Sequence, residues 1–278
     1  MKNIGIVGVG NMGGMLTEVM MERGGIPEKN MYIYNRTLDR SLDFKTSFPH
    51  LNVAADLPGL LTKVDIVFLC MRPGQYKDIL YDLQRHLAYD QILATITSPV
   101  LLEDLENLPV RRVVRTVPSI VNKTGKGPLL LTFGERWTET EKKSFQTWLS
   151  KFSQPVTISD DILRVSSDIV SCGPAFISFL IERFIYSAVG ETSIKLEDAE
   201  QLAEKMMISY GYLLQQGHYD LRSLREKVNV PGGITGEGLK VLDKHSEGMF
   251  EEVFQQTHHK FAKDKEEMKK FLSILNKG

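Results

Sequence analysis

Cysteine is scarce in this chain, and neither sign of charge is in excess. The 278 residues include only two cysteines, Cys70 and Cys172, and carry a formal net charge of −1. Two distant cysteines predict neither a structural disulfide nor a metal site, which favours a reducing, cytoplasmic location. The balanced charge gives no indication of a nucleic-acid or anionic membrane partner. No apolar run reaches membrane-spanning length, so we expect no membrane segment.

A glycine fingerprint lies at the N-terminus. An apolar stretch, Ile4-Gly5-Ile6-Val7, runs into Gly8-Val9-Gly10-Asn11-Met12-Gly13, and an amphipathic segment follows. In a strand–turn–helix of this kind, Gly8 permits the tight turn and Gly10 lets the backbone approach a pyrophosphate. Gly13 allows the helix to pack closely on the sheet. The motif therefore predicts a dinucleotide site, and the alternative is a glycine-rich turn with no ligand.

Strand and helix signals alternate through the first part of the chain. The stretch Asp65–Cys70 is apolar on both faces, as expected of a central parallel strand. Strands are predicted near 3–8, 31–35, 51–54, 65–70, 92–96, 111–116, 129–133 and 156–158. This alternation predicts an α/β fold, a Rossmann-type, doubly wound and mostly parallel sheet.

The pattern becomes helical after about residue 160. Long helices are predicted at about 160–190, 195–216 and 245–274. We therefore expect two domains, a dinucleotide-binding domain at 1–160 and an all-helical domain at 161–278. Such long apolar helices in a small domain favour burial against a partner subunit, so we expect a homodimer or a larger homo-oligomer.

The end of the second predicted strand indicates which dinucleotide is preferred. NAD enzymes commonly place an acidic residue there to bind the ribose hydroxyls. This chain instead has Asn35-Arg36-Thr37, which offers a guanidinium and a hydroxyl to a 2′-phosphate. NADP(H) is therefore the expected cofactor, with NAD(H) possible; the alternative for Arg36 is an ordinary surface residue in a turn.

Further candidate site segments follow other strands and open two helices. Cys70-Met71-Arg72-Pro73 lies at a predicted strand end, where ligands bind in open α/β sheets. Ser171–Phe176 opens a long helix with small residues. The glycine-rich segment Val230–Gly238 leads into another helix, whose first amides suit a carboxylate. Each of these segments also has a purely structural interpretation, as a strand end, a helix start or an interhelical turn.

Five motifs together resemble the pyrroline-5-carboxylate reductase family. They are the glycine fingerprint, NRT at 35–37, CMRP at 70–73, CGPAF at 172–176 and PGGIT at 231–235. Stretches at 96–100, 167–176 and 232–238 are more similar still to the reductase-like branch encoded in the late-competence operon of bacilli. The resemblance implies an NADP-binding Rossmann domain, a helical dimerisation domain and hydride transfer to a cyclic imine, which gives proline. Positioning then accounts for most of the catalysis.

The resemblance also implies roles for individual residues. It assigns the pyrophosphate to Gly8, Gly10, Asn11, Met12 and Gly13, and the adenosine ribose phosphate to Asn35, Arg36 and Thr37. It places Met71, Arg72 and Pro73 beside the nicotinamide ribose. It assigns the imine pocket to Gly173, Pro174 and Ala175. It assigns the substrate carboxylate and ring nitrogen to Gly232, Gly233 and Thr235, with the Thr235 hydroxyl as hydrogen-bond donor.

Three motifs depart from the family's pattern. Val230 replaces a serine, Ser119 lies in a changed Met-Pro-Asn-Thr-Pro motif, and Val170–Phe176 differs from Ser-Gly-Ser-Gly-Pro-Ala-Tyr. Hydrogen bonds to charged groups contribute about 1.5–3 kcal/mol each. The departures therefore leave open an NADP(H)-binding regulatory paralogue with weak or lost catalysis. A carbonyl dehydrogenase is a further alternative, but Phe176–Glu182 lacks the lysine that such enzymes place there.

Overall fold

A twisted sheet of eight short strands organises the N-terminal part of the computed structural model, which describes residues 2–275, with side chains through Lys270. The strands are β1 (Ile4–Val7), β2 (Met31–Tyr34), β3 (Asn52–Val53), β4 (Ile66–Leu69), β5 (Ile92–Thr95), β6 (Arg112–Val117), β7 (Pro128–Phe133) and β8 (Gln154–Thr157). Their spatial order is β3-β2-β1-β4-β5-β6-β7-β8. Every neighbouring pair is parallel except β6 and β7. The doubly wound, mostly parallel sheet expected from the sequence is thus confirmed.

Twelve α-helices occur in the described residues. They are α1 (Asn11–Glu22), α2 (Leu38–Ser47), α3 (Leu57–Leu61), α4 (Leu80–His86), α5 (Leu102–Leu105), α6 (Glu139–Leu149), α7 (Leu163–Ser167), α8 (Gly173–Glu191), α9 (Leu196–Gln215), α10 (Leu221–Val228), α11 (Ile234–Ser246) and α12 (Met249–Leu275). The helical second half expected from the sequence is present. The chain forms two compact units, one of residues 1–172 with 256–278 and one of residues 173–255. The boundary expected at residue 160 stays a prediction.

Two apolar cores cover the faces of the sheet. One contains Phe68 and Trp137, and the other contains Leu69 and Tyr76. β1, β4 and β5 are buried at every position, because both faces of these central strands are covered. The carboxyl ends of these strands are consequently fixed, and they place the residues that follow them.

The segment expected as one helix over 160–190 contains 3-10, α-helical and π-helical turns. A 3-10 turn (Asp160–Ile162) precedes α7, and a π-helical turn (Asp168–Cys172) separates α7 from α8. Asp168 is fully buried; its carboxylate accepts hydrogen bonds from Arg164 Nη2 (2.8 Å) and Thr257 Oγ1 (2.7 Å). π turns insert a residue into the helical ladder and often occur at functional sites. This one lies directly before Gly173, the first residue of α8.

By length and composition alone, one segment reaches the length of a membrane-spanning helix, which the count of apolar runs did not predict. That segment is Asp160–Glu191, although Leu163, Ser167 and Asp168 within it are buried. On α8, Phe179 and Phe184 are 59% and 68% exposed. Exposed large aromatic side chains of this kind mark a surface that another apolar surface covers.

Glu141 provides a pH-dependent contact at the start of α6. Its carboxylate accepts hydrogen bonds from Arg111 and from the Thr138 backbone, which lower its pKa from the ordinary 4.5 to about 2. Because the folded-state pKa is depressed, this contribution to stability is complete above pH 4.5 and is lost as the pH falls toward 2.

We therefore predict that Glu141→Gln reduces the acid sensitivity of the fold. Urea unfolding at about pH 7 and about pH 3 should show a smaller loss of stability for the variant than for the unmodified protein. Equal losses in the two proteins would show that Glu141 does not contribute to the acid response.

Candidate active site: a dinucleotide turn and a glycine-rich helix start

The turn between β1 and α1 requires glycine at two positions. Gly8 has φ of 98°, and a Cβ there would lie 2.5 Å from the Cys70 carbonyl oxygen. A Cβ on Gly13 would lie 1.9 Å from the Gly8 carbonyl oxygen. These distances are too short for any side chain, so the fold itself accounts for both glycines.

Gly10 differs, because packing does not require a glycine there. Its φ is −74°, and apart from Gly10 itself and its two chain neighbours, no described heavy atom lies within 4 Å of where its Cβ would be. It is the N-cap of α1, so this helix has no capping side chain, and its first turn contains no acidic residue. Asn11 and Met12 form that first turn. An open space before uncapped helix amides fits the pyrophosphate of a dinucleotide.

Asn35 links the glycine turn to the loop after β2. Its Oδ1 accepts a hydrogen bond from the Val9 amide (3.3 Å), and its Nδ2 donates to the Thr37 carbonyl (2.8 Å). Thr37 is the N-cap of α2. The structure thus gives the Asn35 side chain a role in holding the two loops, which its position in the motif did not indicate. The side chain of Arg36, which lies between Asn35 and Thr37, extends into solvent.

Met71, Arg72 and Pro73 lie where β4 leads into a 3-10 helix (Pro73–Asp78). The Met71 carbonyl accepts a hydrogen bond from Thr97 Oγ1 (2.7 Å), and the Arg72 amide donates to Gln75 Oε1 (3.0 Å). The loops after β4 and β5 are therefore joined at the edge of the sheet where ligands bind in this architecture.

A buried tyrosine supports the same edge and was missed by the sequence interpretation. The Tyr76 hydroxyl lies 2.5 Å from Thr95 Oγ1 and 3.1 Å from Thr97 Oγ1. Burial raises the pKa of Tyr76 to about 12, so it stays a neutral hydrogen-bonding group. The threonines in the strand-end segment Thr95-Ile96-Thr97 were the available signal, but nothing in their spacing identified a partner. Burial likewise raises the pKa of Cys70 to about 12, which leaves an unreactive thiol behind the glycine turn.

The second candidate segment forms the start of α11. Gly232 has φ of 73°, and Gly233 is the N-cap, with no capping side chain. Gly232 and Gly233 line a cleft of about 740 Å³ together with Arg225 and Asn229. Thr235, the second residue of the helix, lines an adjacent groove of about 540 Å³. Uncapped amides beside the cationic side chains of Arg225 and Lys240 suit a carboxylate, and Glu237 and Asp243 line the same cleft with the opposite charge.

The remaining predicted substrate residues begin α8. Gly173 is its first residue and directly follows the π turn, and Pro174 and Ala175 continue the first turn of the helix. Arg164 Nη2 lies 3.6 Å from Cys172 Sγ. Ser119, at a position that departs from the family's pattern, is fully buried, and its hydroxyl has no hydrogen-bond partner among the described residues.

Metal ligands are not clustered in the part of the chain that the structure describes. No group of three or more His, Cys, Asp or Glu side chains there could hold a metal ion.

An uncapped helix behind a glycine turn, on a sheet of this order, is the architecture of a dinucleotide-binding domain. Comparison with known proteins supports this class. Residues 3–99 match a family described as NADP oxidoreductase, coenzyme F420-dependent, and residues 160–268 match pyrroline-5-carboxylate reductase dimerisation. The expectation of NADP(H) as the cofactor is confirmed at the level of the family.

Individual relatives match this chain over nearly its whole length. ComE operon protein 4 of Bacillus subtilis is 42% identical over 96% of this chain and 98% of its own length. Pyrroline-5-carboxylate reductase 3 of the same organism is 27% identical over 94% and 96%. A solved Plasmodium falciparum pyrroline carboxylate reductase with NADP bound has the same fold, with a TM-score of 0.79 at 19% identity, over 96% of this chain and 98% of that one. The chain belongs to the pyrroline-5-carboxylate reductase family, as its motifs indicated.

Proposed function

We propose that this protein is an NADPH-dependent reductase of a cyclic imine, with 1-pyrroline-5-carboxylate as substrate and L-proline as product. The observation that carries the proposal is the uncapped, glycine-rich start of α11 beside Arg225, which suits a small carboxylate. Family membership supplies the reaction type, because the matched family and several relatives are named for this reductase.

The cofactor residues are proposed from the motif and fit the observed cradle. Gly8, Gly10 and Gly13, with the first turn of α1, hold the pyrophosphate, while Arg36 and Thr37 take the 2′-phosphate. Asn35 positions both loops. When bound, NADPH supplies the hydride, and the proposed nicotinamide side of the site is formed by Met71, Arg72 and Pro73.

The protein's own contribution to the chemistry is orientation. The amides at the start of α11 bind the substrate carboxylate, and the Thr235 hydroxyl donates a hydrogen bond to the ring nitrogen. Gly173, Pro174 and Ala175 shape the pocket for the ring. Holding the imine against a hydride donor removes most of the entropic barrier. The ring nitrogen takes its proton from solvent as the carbon accepts the hydride, so no acid–base pair is needed.

We further propose a cytoplasmic homodimer. Residues 160–268 match the dimerisation family, and they include the exposed apolar side chains of α8 and α9, such as Phe184 and Tyr212. A partner subunit that covers this surface accounts for its composition without a membrane.

The reductase proposal is tested by the initial rate of NADPH oxidation with 1-pyrroline-5-carboxylate. Turnover above background, together with proline as product, is expected. Tight NADPH binding with no turnover on a panel of cyclic imines would contradict it and favour the second candidate, a regulatory paralogue. The 42% identity to ComE operon protein 4 and the loss of the family's serine at Val230 favour that candidate specifically.

Val230→Ser provides a sharper comparison. Val230 is 58% exposed beside the proposed carboxylate site, so a hydroxyl there should lower KM for the imine about tenfold. Val241→Ser, at an equally exposed position of α11 that lines neither cleft, is the matched control and should leave KM unchanged. Equal effects of the two substitutions would contradict a carboxylate site at this loop.

A further inference from the structure

An ion pair joins two loops at the carboxyl edge of the sheet. Arg36 Nη1 lies 3.3 Å from Asp78 Oδ2. Arg36 comes two residues after β2, and Asp78 ends the 3-10 helix that follows β4. β1 lies between β2 and β4, and its end leads into the glycine turn. The pair therefore connects the loops on either side of the proposed dinucleotide site.

The two partners are held with different rigidity. Asp78 lies two residues after Tyr76, whose buried hydroxyl bonds fix the 3-10 helix. The Arg36 backbone is held by the Asn35 bonds, but its side chain is 75% exposed. The Asp78 side chain is less exposed, at 42%, so the guanidinium is the partner with more freedom to turn to another anion.

A phosphate group is the stronger partner for this guanidinium. An exposed ion pair changes an equilibrium by about fivefold at most. A phosphate can accept two parallel hydrogen bonds from arginine, and such charge-assisted pairs are stronger. A bound 2′-phosphate would therefore displace Asp78 from Arg36, but it would then lie close to an unpaired carboxylate.

We propose that Asp78 is a specificity residue that competes with the 2′-phosphate for Arg36. It weakens NADP(H) binding without weakening NAD(H), whose ribose carries a neutral hydroxyl at that position. The end of β2 lacks an acidic residue, and Asp78, in the segment after β4, supplies a carboxylate instead. This carboxylate reduces the ratio by which the protein prefers NADP(H) to NAD(H). This inference rests on the proposed assignment of Arg36 to the 2′-phosphate.

The test is the Kd of the full-length protein for NADPH and for NADH, measured by fluorescence titration without an imine. Asp78→Asn should lower the Kd for NADPH about three- to fivefold and leave that for NADH within about twofold. The NADPH effect should shrink at high salt. Asp82→Asn, in the first turn of α4, is the charge-matched control and should change neither Kd.

Arg36→Gln separates this inference from the assignment on which it rests. Arg36→Gln should weaken NADPH binding, and Asp78→Asn added to it should give little further change, because Asp78 acts through Arg36. Weaker NADPH binding by Asp78→Asn, equal changes for both nucleotides, or an equal effect of Asp82→Asn would overturn the role of Asp78. An unchanged NADPH Kd in Arg36→Gln would overturn the assignment of Arg36 itself. None of these results depends on turnover of 1-pyrroline-5-carboxylate.

Discussion

Gly10→Ala is expected to raise the Kd for NADPH about a hundredfold or more while the protein stays folded. Gly10 lies at the open end of the glycine turn, and apart from its two chain neighbours no described heavy atom would contact its Cβ. The added methyl group occupies the space through which the pyrophosphate approaches the amides of α1. Charge-assisted hydrogen bonds are lost, each worth about 1.5–3 kcal/mol. The free energy of unfolding should change by less than about 1 kcal/mol, because the backbone conformation suits alanine.

Gly13→Ala is the informative comparison. Its Cβ would lie 1.9 Å from the Gly8 carbonyl oxygen and 2.9 Å from the Cys70 Cβ, so the start of α1 must move. This variant should lose about 1–3 kcal/mol of stability as well as NADPH binding. For both variants, the Kd for NADPH is measured by fluorescence titration and the stability is measured by urea unfolding. Wild-type affinity in Gly10→Ala would show that the open space before α1 is not the pyrophosphate site.

Thr235→Val is expected to lower kcat/KM for the imine about 10- to 100-fold with an unchanged Kd for NADPH. The substitution keeps the size of the side chain and removes the hydroxyl proposed to donate to the ring nitrogen. Thr235 is exposed at the first turn of α11, so its loss should not affect the core.

Thr235→Ser is the control, because it keeps the hydroxyl and loses only a methyl group. Its kcat/KM should stay much nearer to that of the unmodified protein than that of Thr235→Val. Equal activity in the valine and serine variants would show that the Thr235 hydroxyl has no role in the reaction. The hydrogen bond to the ring nitrogen would then be assigned to the loop amides.

The cofactor half of the fold could be predicted from sequence because its signals are local. A strand that runs directly into glycines spaced as Gly8, Gly10 and Gly13 has few other structural explanations. The strands β1, β4 and β5 are apolar at nearly every position, since both of their faces are covered.

The contacts that support the site could not be predicted, because they join residues far apart in sequence. The Tyr76 hydroxyl meets Thr95 and Thr97, and Asp78 meets Arg36 across the width of β1. Asp168 bonds to Thr257, 89 residues away. Sequence spacing carries information about neighbours within one element, but pairings between elements depend on how the sheet is ordered.

The break in the helix at Asp168–Cys172 has the same origin. Its residues are compatible with an uninterrupted helix, which is what the periodicity predicted for 160–190. The buried carboxylate of Asp168 and its partners Arg164 and Thr257 accompany the π turn, and Thr257 is remote in sequence from the other two. Counting uninterrupted apolar runs likewise did not identify Asp160–Glu191 as a segment with the length and composition of a membrane span.

The most direct test of the account uses NADPH deuterated at the transferred hydride position, with 1-pyrroline-5-carboxylate as substrate and mass spectrometry of the product. The account predicts proline that carries deuterium at the carbon of the former imine. Proline without deuterium, or no proline from a protein that binds NADPH tightly, would contradict it.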